Sequence, residues 1–132
     1  MMYFTAILII IITTTAFVLF ASGEDNTKNI EFLQSYGWEV KTKAVESANI
    51  IIPNPFDLVY ENYNKLQKEA NLDLYPYRGM SGVRYTYIVL NHPKDVGEEV
   101  RANVICIDGK PVGGDIMTVS LSGFMHSLNF PN

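Results

Sequence analysis

Asp115 and His126 are the two residues of this sequence best suited to acid–base chemistry. Asp115 follows two consecutive glycines, and His126 follows the apolar pair Phe124-Met125. A carboxylate and an imidazole within hydrogen-bond reach of one substrate atom act as general acid and general base, for example in hydrolysis. The order of residues provides neither a nucleophile elbow nor a partner that would orient the base. A small cell-envelope hydrolase using this pair is therefore the alternative to a protein that binds without catalysis.

The Gly113-Gly114-Asp115 triplet has two interpretations of its own. As a nest of backbone N–H groups, it would bind an anion or place Asp115 at a ligand. A phosphate-binding loop, however, needs its glycines ahead of a helix with Lys-Ser/Thr, and a strand-like segment follows here. The favoured interpretation is a β-bulge in which at least one glycine has a positive φ, so that the strand bends and another segment approaches closely.

Metal binding and thiol chemistry have little support in the sequence. His92 and His126 are 34 positions apart, without the clustered His, Cys and carboxylate spacing of a zinc site. Cys106 is the only cysteine, so no internal disulfide forms, and its apolar neighbours predict a small buried hydrophobic residue. We therefore predict neither a metal nor a cofactor.

Tyrosine and arginine side chains give the main indication of binding. Both types provide contact area to a protein, peptide or glycan at a small cost in conformational entropy. The predicted binding residues are Tyr75, Tyr77, Arg78, Arg84, Tyr85 and Tyr87. The alternative is that tyrosines spaced two apart only line a half-buried sheet.

The charge pattern excludes one class of partner. The 132-residue chain has 10 basic and 14 acidic side chains, a formal net charge of −4, and no cluster of Lys and Arg. Nucleic-acid binding requires such a cluster to neutralise phosphates. We therefore expect no nucleic-acid partner.

The first part of the chain has the composition of a membrane segment, because residues 2–21 contain no charged side chain. At about 1.5 Å per residue, twenty helical residues cover the roughly 30 Å of a bilayer core. The run exceeds the roughly 7 to 15 apolar residues of a signal peptide, although Ala21 and Gly23 offer a small-residue cleavage pattern. We predict that residues 1–23 form a transmembrane anchor or a cleaved signal peptide. Residues 24–132 then form an extracytoplasmic domain, held at the cell membrane by a single span or secreted after cleavage.

Hydrophobic periodicity predicts an α+β domain after this segment. Apolar residues at helical spacing indicate a short helix and then a stronger one at "NPFDLVYENYNKLQKEANLDL", with Asn54 as its N-cap and Asn71 in the left-handed position that ends it. Period-2 patterns indicate about four strands, the last two joined by a type I′ turn at Asp108-Gly109. The order predicts an antiparallel meander with two helices packed on one face.

Several landmarks taken together resemble one family. They are "YGW" at 36–38, "YRG" at 77–79, "VRANVICIDGKPVGGDI" and the terminal "GFMHSL". These resemble the bacterial proteins grouped as DUF4830, a domain of unknown function, over nearly all of residues 36–128. The resemblance implies an N-terminal hydrophobic segment followed by one small domain, and it implies no reaction.

At the level of fold, the hairpin around "IDGKPVGGDI" also resembles PepSY-type extracytoplasmic domains, which implies binding or regulation of a partner. Together these observations predict a membrane-anchored extracytoplasmic module at the bacterial cell envelope that binds or regulates a partner without catalysis. The alternative remains the small hydrolase acting through Asp115 and His126.

Overall fold

The computed structural model describes residues 23–94 and 96–132. The predicted membrane segment at residues 2–21 lies outside the described residues. Within the part that is described, no helix combines the length and the apolar character needed to cross a membrane.

Two α-helices, one short 3-10 helix and five strands make up the domain. The helices are α1 (Gly23–Ser35), α2 (Leu58–Glu69) and the 3-10 helix (Tyr75–Tyr77). The strands are β1 (Glu46–Ile51), β2 (Ser81–Ile88), β3 (Val100–Ile107), β4 (Lys110–Thr118) and β5 (Met125–His126). Each strand pairs antiparallel with the next one along the chain, in the order β1-β2-β3-β4-β5. The α+β class and the antiparallel meander are confirmed, with a fifth, two-residue strand added at the end.

The two helices pack on opposite faces of the sheet, so the prediction that they share one face is wrong. Directly opposite residues of paired strands share a face, and consecutive residues alternate between faces. Tyr87 pairs with Ala102, and Asn29 of α1 donates a hydrogen bond to the Tyr87 hydroxyl. The next residue of β3, Asn103, pairs with Asp115, and α2 donates a hydrogen bond to the Asp115 carboxylate. We call these two sides the α1 face and the α2 face.

Burial on both faces explains the composition of the central strand β3, in which every residue of 102–107 is buried. A sheet with one solvated face alternates apolar and polar residues, whereas a strand covered on both faces reads as a nearly continuous apolar run. The run "VICI" within β3 is of the second kind. The sequence therefore contained a signal for a helix on each face.

A hydrophobic core lies on each face. The core of the α1 face contains Leu33, Trp38, Tyr85, Tyr87, Ala102, Val104, Ile116 and Leu128. The core of the α2 face contains Ile52, Tyr63, Leu74, Ile105 and Ile107. The sheet is thus the middle layer of a three-layer domain.

Helix α2 begins later than predicted, because Asp57 rather than Asn54 is its N-cap. The Asp57 side chain accepts a hydrogen bond from the backbone N–H of Tyr60 at 2.8 Å, which satisfies one of the N–H groups that the first helical turn leaves unpaired. Asn54 instead precedes a cis peptide bond to Pro55. At the other end, Asn71 has a φ of 61°, the left-handed conformation that was predicted for it.

The β3–β4 hairpin contains one irregularity, and it precedes the glycine pair. Asp108 and Gly109 have φ values of 51° and 75°, and a type I′ turn requires both to be positive. In the ladder, Ile105 pairs with Gly113 while the next β3 residue pairs with Pro111. The extra residue of β4 is therefore the one at position 112. Neither glycine of the Gly113-Gly114 pair has a positive φ, contrary to expectation.

Candidate functional site

Asp115 and His126 lie on opposite faces of the sheet. His126 pairs directly with Ile116 in the β4–β5 ladder, which places it on the α1 face. Asp115, one residue earlier, faces α2. Because the sheet separates the two side chains, they do not converge on a common substrate atom. The structure therefore does not assemble the acid–base pair of the hydrolase alternative.

Asp115 is the centre of a buried hydrogen-bond network and is itself fully buried. The Tyr63 hydroxyl donates to its Oδ2 at 2.6 Å, and Asn103 Nδ2 donates to its Oδ1 at 3.0 Å. The Thr86 hydroxyl in turn donates to Asn103 Oδ1 at 2.6 Å. Burial raises the pKa of Asp115, although the two hydrogen bonds and the charge of Arg84 act in the opposite direction. This network joins α2 to three strands, which is a structural role.

The six predicted binding residues do not form one surface. Arg84, Tyr85 and Tyr87 are only 5%, 7% and 0% exposed, with Arg84 on the α2 face and the tyrosines on the α1 face. The other three lie together at the 3-10 helix. There the Arg78 guanidinium carbon lies 3.6 Å from the centroid of the Tyr75 ring, and Arg78 Nε donates to the Tyr75 carbonyl oxygen. Of the six predicted residues, only Tyr75, Tyr77 and Arg78 are therefore accessible to a partner.

A cleft of about 350 Å³ lies on the α1 face, beside the edge strand β1. Four elements contribute to it, namely α1, β1, β2 and the β3–β4 hairpin. Residues that line it include Asp25, Asn49, Val83, Tyr85, Cys106 and Asp108. These residues come from distant parts of the chain, and no local sequence pattern connects them. Sequence reasoning identified Tyr85 in this set and missed the cleft.

Two aspartates, Asp25 and Asp108, and the tyrosine Tyr85 are among the residues that line the cleft. A Cβ placed on Gly109 would lie 3.6 Å from a carboxylate oxygen of Asp25, so the Asp25 side chain lies against the Asp108-Gly109 turn. The Tyr85 hydroxyl has no hydrogen-bond partner among residues 23–94 and 96–132. Burial raises the pKa of Tyr85, with Cys106 and Asp25 adding to the effect, so this hydroxyl remains protonated at neutral pH.

Cys106 is a packing residue, as predicted. It is 4% exposed, and its thiol lies 3.1 Å from Asn29 Oδ1, to which it donates. Burial, with a smaller contribution from the Asp25 carboxylate, raises the pKa of Cys106 to about 12. Because the thiolate is the nucleophilic form, the thiol is inert at physiological pH.

The two histidines are in contact, although they are far apart in sequence. His92 Nε2 and His126 Nε2 are 3.0 Å apart. Trp38 stacks on His92 with ring centroids 5.5 Å apart, and Phe124 stacks on His126 at 5.4 Å. Across the described ranges, no group of three or more His, Cys, Asp or Glu side chains is arranged to hold a metal ion.

Comparison with known proteins gives one match. The family model described as "Domain of unknown function (DUF4830)" matches residues 32–116, from the last turn of α1 to Ile116 of β4. No curated protein and no solved structure matches the chain. The resemblance to DUF4830 is thus confirmed, and the fold-level resemblance to PepSY-type domains receives no support.

Proposed function

The chain belongs to the DUF4830 family, a domain of unknown function, and we propose that it is a non-enzymatic binding module of the bacterial cell envelope. Residues 2–21 anchor the module in the membrane, and the folded domain lies outside the cytoplasm. The observation that carries the proposal is the cleft beside β1, which is open to solvent and is lined by two aspartates and by Tyr85, whose hydroxyl has no hydrogen-bond partner within the described part of the chain.

The chemistry of the cleft favours a basic side chain as its ligand. Asp25 and Asp108 supply negative charge at the rim, and the Tyr85 hydroxyl supplies a hydrogen-bond acceptor inside. Val83 and Cys106 provide an apolar floor for the methylene stem of a lysine or arginine, which packs along apolar surface while its charged end stays at a polar rim. The ligand we propose is therefore a basic residue of an extended peptide or protein segment.

The edge strand supports an extended ligand. Just beyond the β1–β2 ladder, the Ile52 N–H donates to the Met80 carbonyl and the Ile52 carbonyl accepts from the Gly79 N–H, so the backbone groups of Ile52 are directed toward the β2 side. This direction alternates from residue to residue along an antiparallel ladder, so the backbone groups of Asn49 and Ile51 are directed away from β2. An added strand pairs with backbone groups of this kind. The Asn49 side chain also lines the cleft, so the edge and the cleft form one continuous surface.

A pair of small probes tests this function on the full chain. Nα-acetyl-arginine methylamide is expected to produce saturable amide shifts at Asp25, Asn49 and Gly109, whereas the neutral analogue Nα-acetyl-glutamine methylamide is not. Combined Asp25→Asn and Asp108→Asn substitution is expected to weaken binding of the arginine probe about tenfold or more, since each tenfold is only about 1.4 kcal/mol. The measurement is an NMR titration.

A matched control is Glu61→Gln, which also removes negative charge, at an exposed position of α2 on the opposite face. It should leave the affinity unchanged. Equal shifts with both probes would contradict the proposal that the cleft binds a basic side chain. An affinity for the arginine probe that the double Asp variant does not alter would contradict it as well.

The proposed location predicts that protease added to intact protoplasts digests the domain, because the strongly apolar uncharged run at residues 2–21 precedes it. Immunoblotting measures the loss, with a cytoplasmic protein as the control that must remain intact. A full-length chain that survives while a known external protein is digested would reverse the orientation. A mature N-terminus at Glu24 would show that the segment is cleaved and the domain secreted.

A further inference from the structure

The contact between His92 and His126 is head-on. Their Nε2 atoms are 3.0 Å apart and their ring centroids 5.3 Å apart. The difference, 5.3 − 3.0 = 2.3 Å, is about two ring radii, so both Nε2 atoms lie near the line joining the ring centres, as in a linear N–H···N hydrogen bond. Two imidazoles sharing a metal ion direct their lone pairs at a common point to one side, which would bring the ring centres closer together.

The other ring nitrogens determine where the proton lies. His126 Nδ1 is 2.6 Å from the Ser127 carbonyl oxygen, which only accepts, so His126 Nδ1 carries a hydrogen. The backbone N–H of Lys94 donates to His92 Nδ1 at 3.2 Å, so this nitrogen presents its lone pair and the hydrogen of neutral His92 is on Nε2. His92 Nε2–H therefore donates to His126 Nε2, and one proton joins the two rings.

This bond joins two segments that are distant in the chain. His92 lies in the connection between β2 and β3, and His126 lies in β5, next to the C-terminal residues. Those residues dock through Trp38, whose Nε1 donates to the Leu128 carbonyl at 2.6 Å and whose ring lies 4.7 Å from that of Phe130. Trp38 thus packs against both the histidine pair and the C-terminal segment.

We propose that the His92–His126 pair is an acid-sensitive clasp: one shared proton holds β5 and residues 127–132 against the β2–β3 connection, and a second proton releases them. A proton added at His126 Nε2 would place an N–H group against the His92 N–H group at 3.0 Å, and it would put one positive charge on the His126 ring. The clasp adds to the proposed binding function and does not depend on it.

Burial determines the direction of the response, because it is the largest influence on the pKa of His126 and lowers it from 6.5. The hydrogen bond to the Ser127 carbonyl acts in the opposite direction. Among the charged neighbours, His92 and Lys94 of the β2–β3 connection oppose protonation of His126, and Glu69 at the end of α2 favours it. A histidine whose pKa is lower when folded contributes stability that is complete above the unfolded pKa and is lost as pH falls through the folded pKa. The clasp is therefore closed at neutral pH and opens in acid.

NMR on the full chain tests the clasp at pH 7.5 and pH 4.5. At pH 7.5, long-range ¹H–¹⁵N spectra should show His92 protonated on Nε2 and His126 on Nδ1, and the reverse tautomers would overturn the assignment. Amide exchange protection should fall at least tenfold at pH 4.5 at His126, which pairs with β4, and at Asn129, whose N–H donates to Ser127 Oγ. Protection at Val104 in the central strand should stay within threefold. Equal protection of the C-terminal amides at the two pH values would also overturn the proposal.

Variants separate this effect from general acid unfolding. His126→Phe and His92→Phe each preserve an aromatic ring beside Trp38 and remove one partner of the Nε2–Nε2 hydrogen bond. In His126→Phe the C-terminal amides should exchange at one level of protection at both pH values, whereas His92→Phe keeps His126 and should show a smaller acid response than the wild-type chain. If one variant does not fold, the other variant and the tautomer assignment still test the proposed clasp. A wild-type acid response that persists in a folded variant would overturn the proposal, as would Zn²⁺-induced shifts of both Nε2 atoms that EDTA reverses.

Discussion

Replacing Gly114 with alanine is expected to destabilise the domain by about 3 kcal/mol or more, the upper end of the cost of overpacking. A Cβ at this position would lie 2.2 Å from the Asn103 carbonyl oxygen and 3.2 Å from Leu128 Cδ1. The carbonyl belongs to the neighbouring strand, and moving it would disturb the β3–β4 ladder. Because the φ of Gly114 is not positive, the cost is steric and does not arise from backbone strain. Urea unfolding of the wild-type chain and the variant measures it.

Gly113→Ala is the informative comparison, with an expected cost of about 1 to 2 kcal/mol. Its Cβ would lie 2.9 Å from both Gln67 Oε1 and Leu74 Cδ2. Both atoms are the ends of side chains: Leu74 Cδ2 has some freedom to move, whereas the Gln67 amide is held by its two hydrogen bonds to Gly114. Gly23→Ala is the control, since no atom of the described residues lies within 4 Å of that Cβ, and it should change stability by less than about 0.5 kcal/mol. A larger cost at Gly113 than at Gly114 would contradict this account.

The absence of a side chain at Gly114 also has a use in the fold. Strand β5 pairs only with Ile116 and Met117, so it does not extend to the backbone of Gly114. The side-chain amide of Gln67 takes the place of a strand there: its Nε2 donates to the Gly114 carbonyl and its Oε1 accepts from the Gly114 N–H, each at 2.8 Å. The buried backbone groups are thereby satisfied, and α2 is fixed against β4.

Residues that act through their own backbone were predictable from the sequence. The Asp108-Gly109 turn and the left-handed Asn71 depend on local φ preferences, which neighbouring residues reveal. The purpose of the Gly113-Gly114 pair was not predictable, because it depends on an α2 side chain and on the carbonyl of a neighbouring strand. The same reason applies to the clasp histidines, whose spacing of 34 residues carries no signal until the meander brings the β2–β3 connection and β5 together.

The position of α2 was mispredicted for a related reason. Its apolar stripe indicates that one side of the helix is buried and does not indicate which face of the sheet it covers. The apolar run of β3 indicated that both faces of the sheet are covered, but it does not assign a helix to a face. The polar residues that make this assignment, Tyr63, Asn103 and Asp115, appear unrelated in sequence and meet only after folding. An acidic residue after two glycines therefore resembled a site, whereas in the structure it is the acceptor of a buried network.

Asp115→Ala is expected to destabilise the domain by about 2 to 4 kcal/mol, because it leaves the Tyr63 hydroxyl and the Asn103 amide buried without their acceptor. Asp115→Asn should cost less, about 1 to 2 kcal/mol, since one oxygen remains to accept a hydrogen bond. Urea unfolding measures both, and Glu61→Gln, at an exposed position, is the control. If the Asp115→Ala variant were as stable as the control variant, the network would have no structural role.

The pH dependence of the Asp115→Asn variant distinguishes this network from the histidine clasp. Burial raises the pKa of Asp115 in the folded state, so its contribution to stability is complete below the unfolded pKa of about 3.9 and is lost as pH rises through the folded pKa. The wild-type chain should therefore exceed Asp115→Asn in stability by more at pH 4 than at pH 7. The contribution of the clasp to stability changes with pH in the opposite direction, because the pKa of His126 is lowered. Since both proteins contain the clasp, its contribution cancels from the difference in their stabilities. A wild-type advantage that grew with rising pH would mean that Asp115 is more acidic in the folded state and that its hydrogen bonds and Arg84 outweigh its burial.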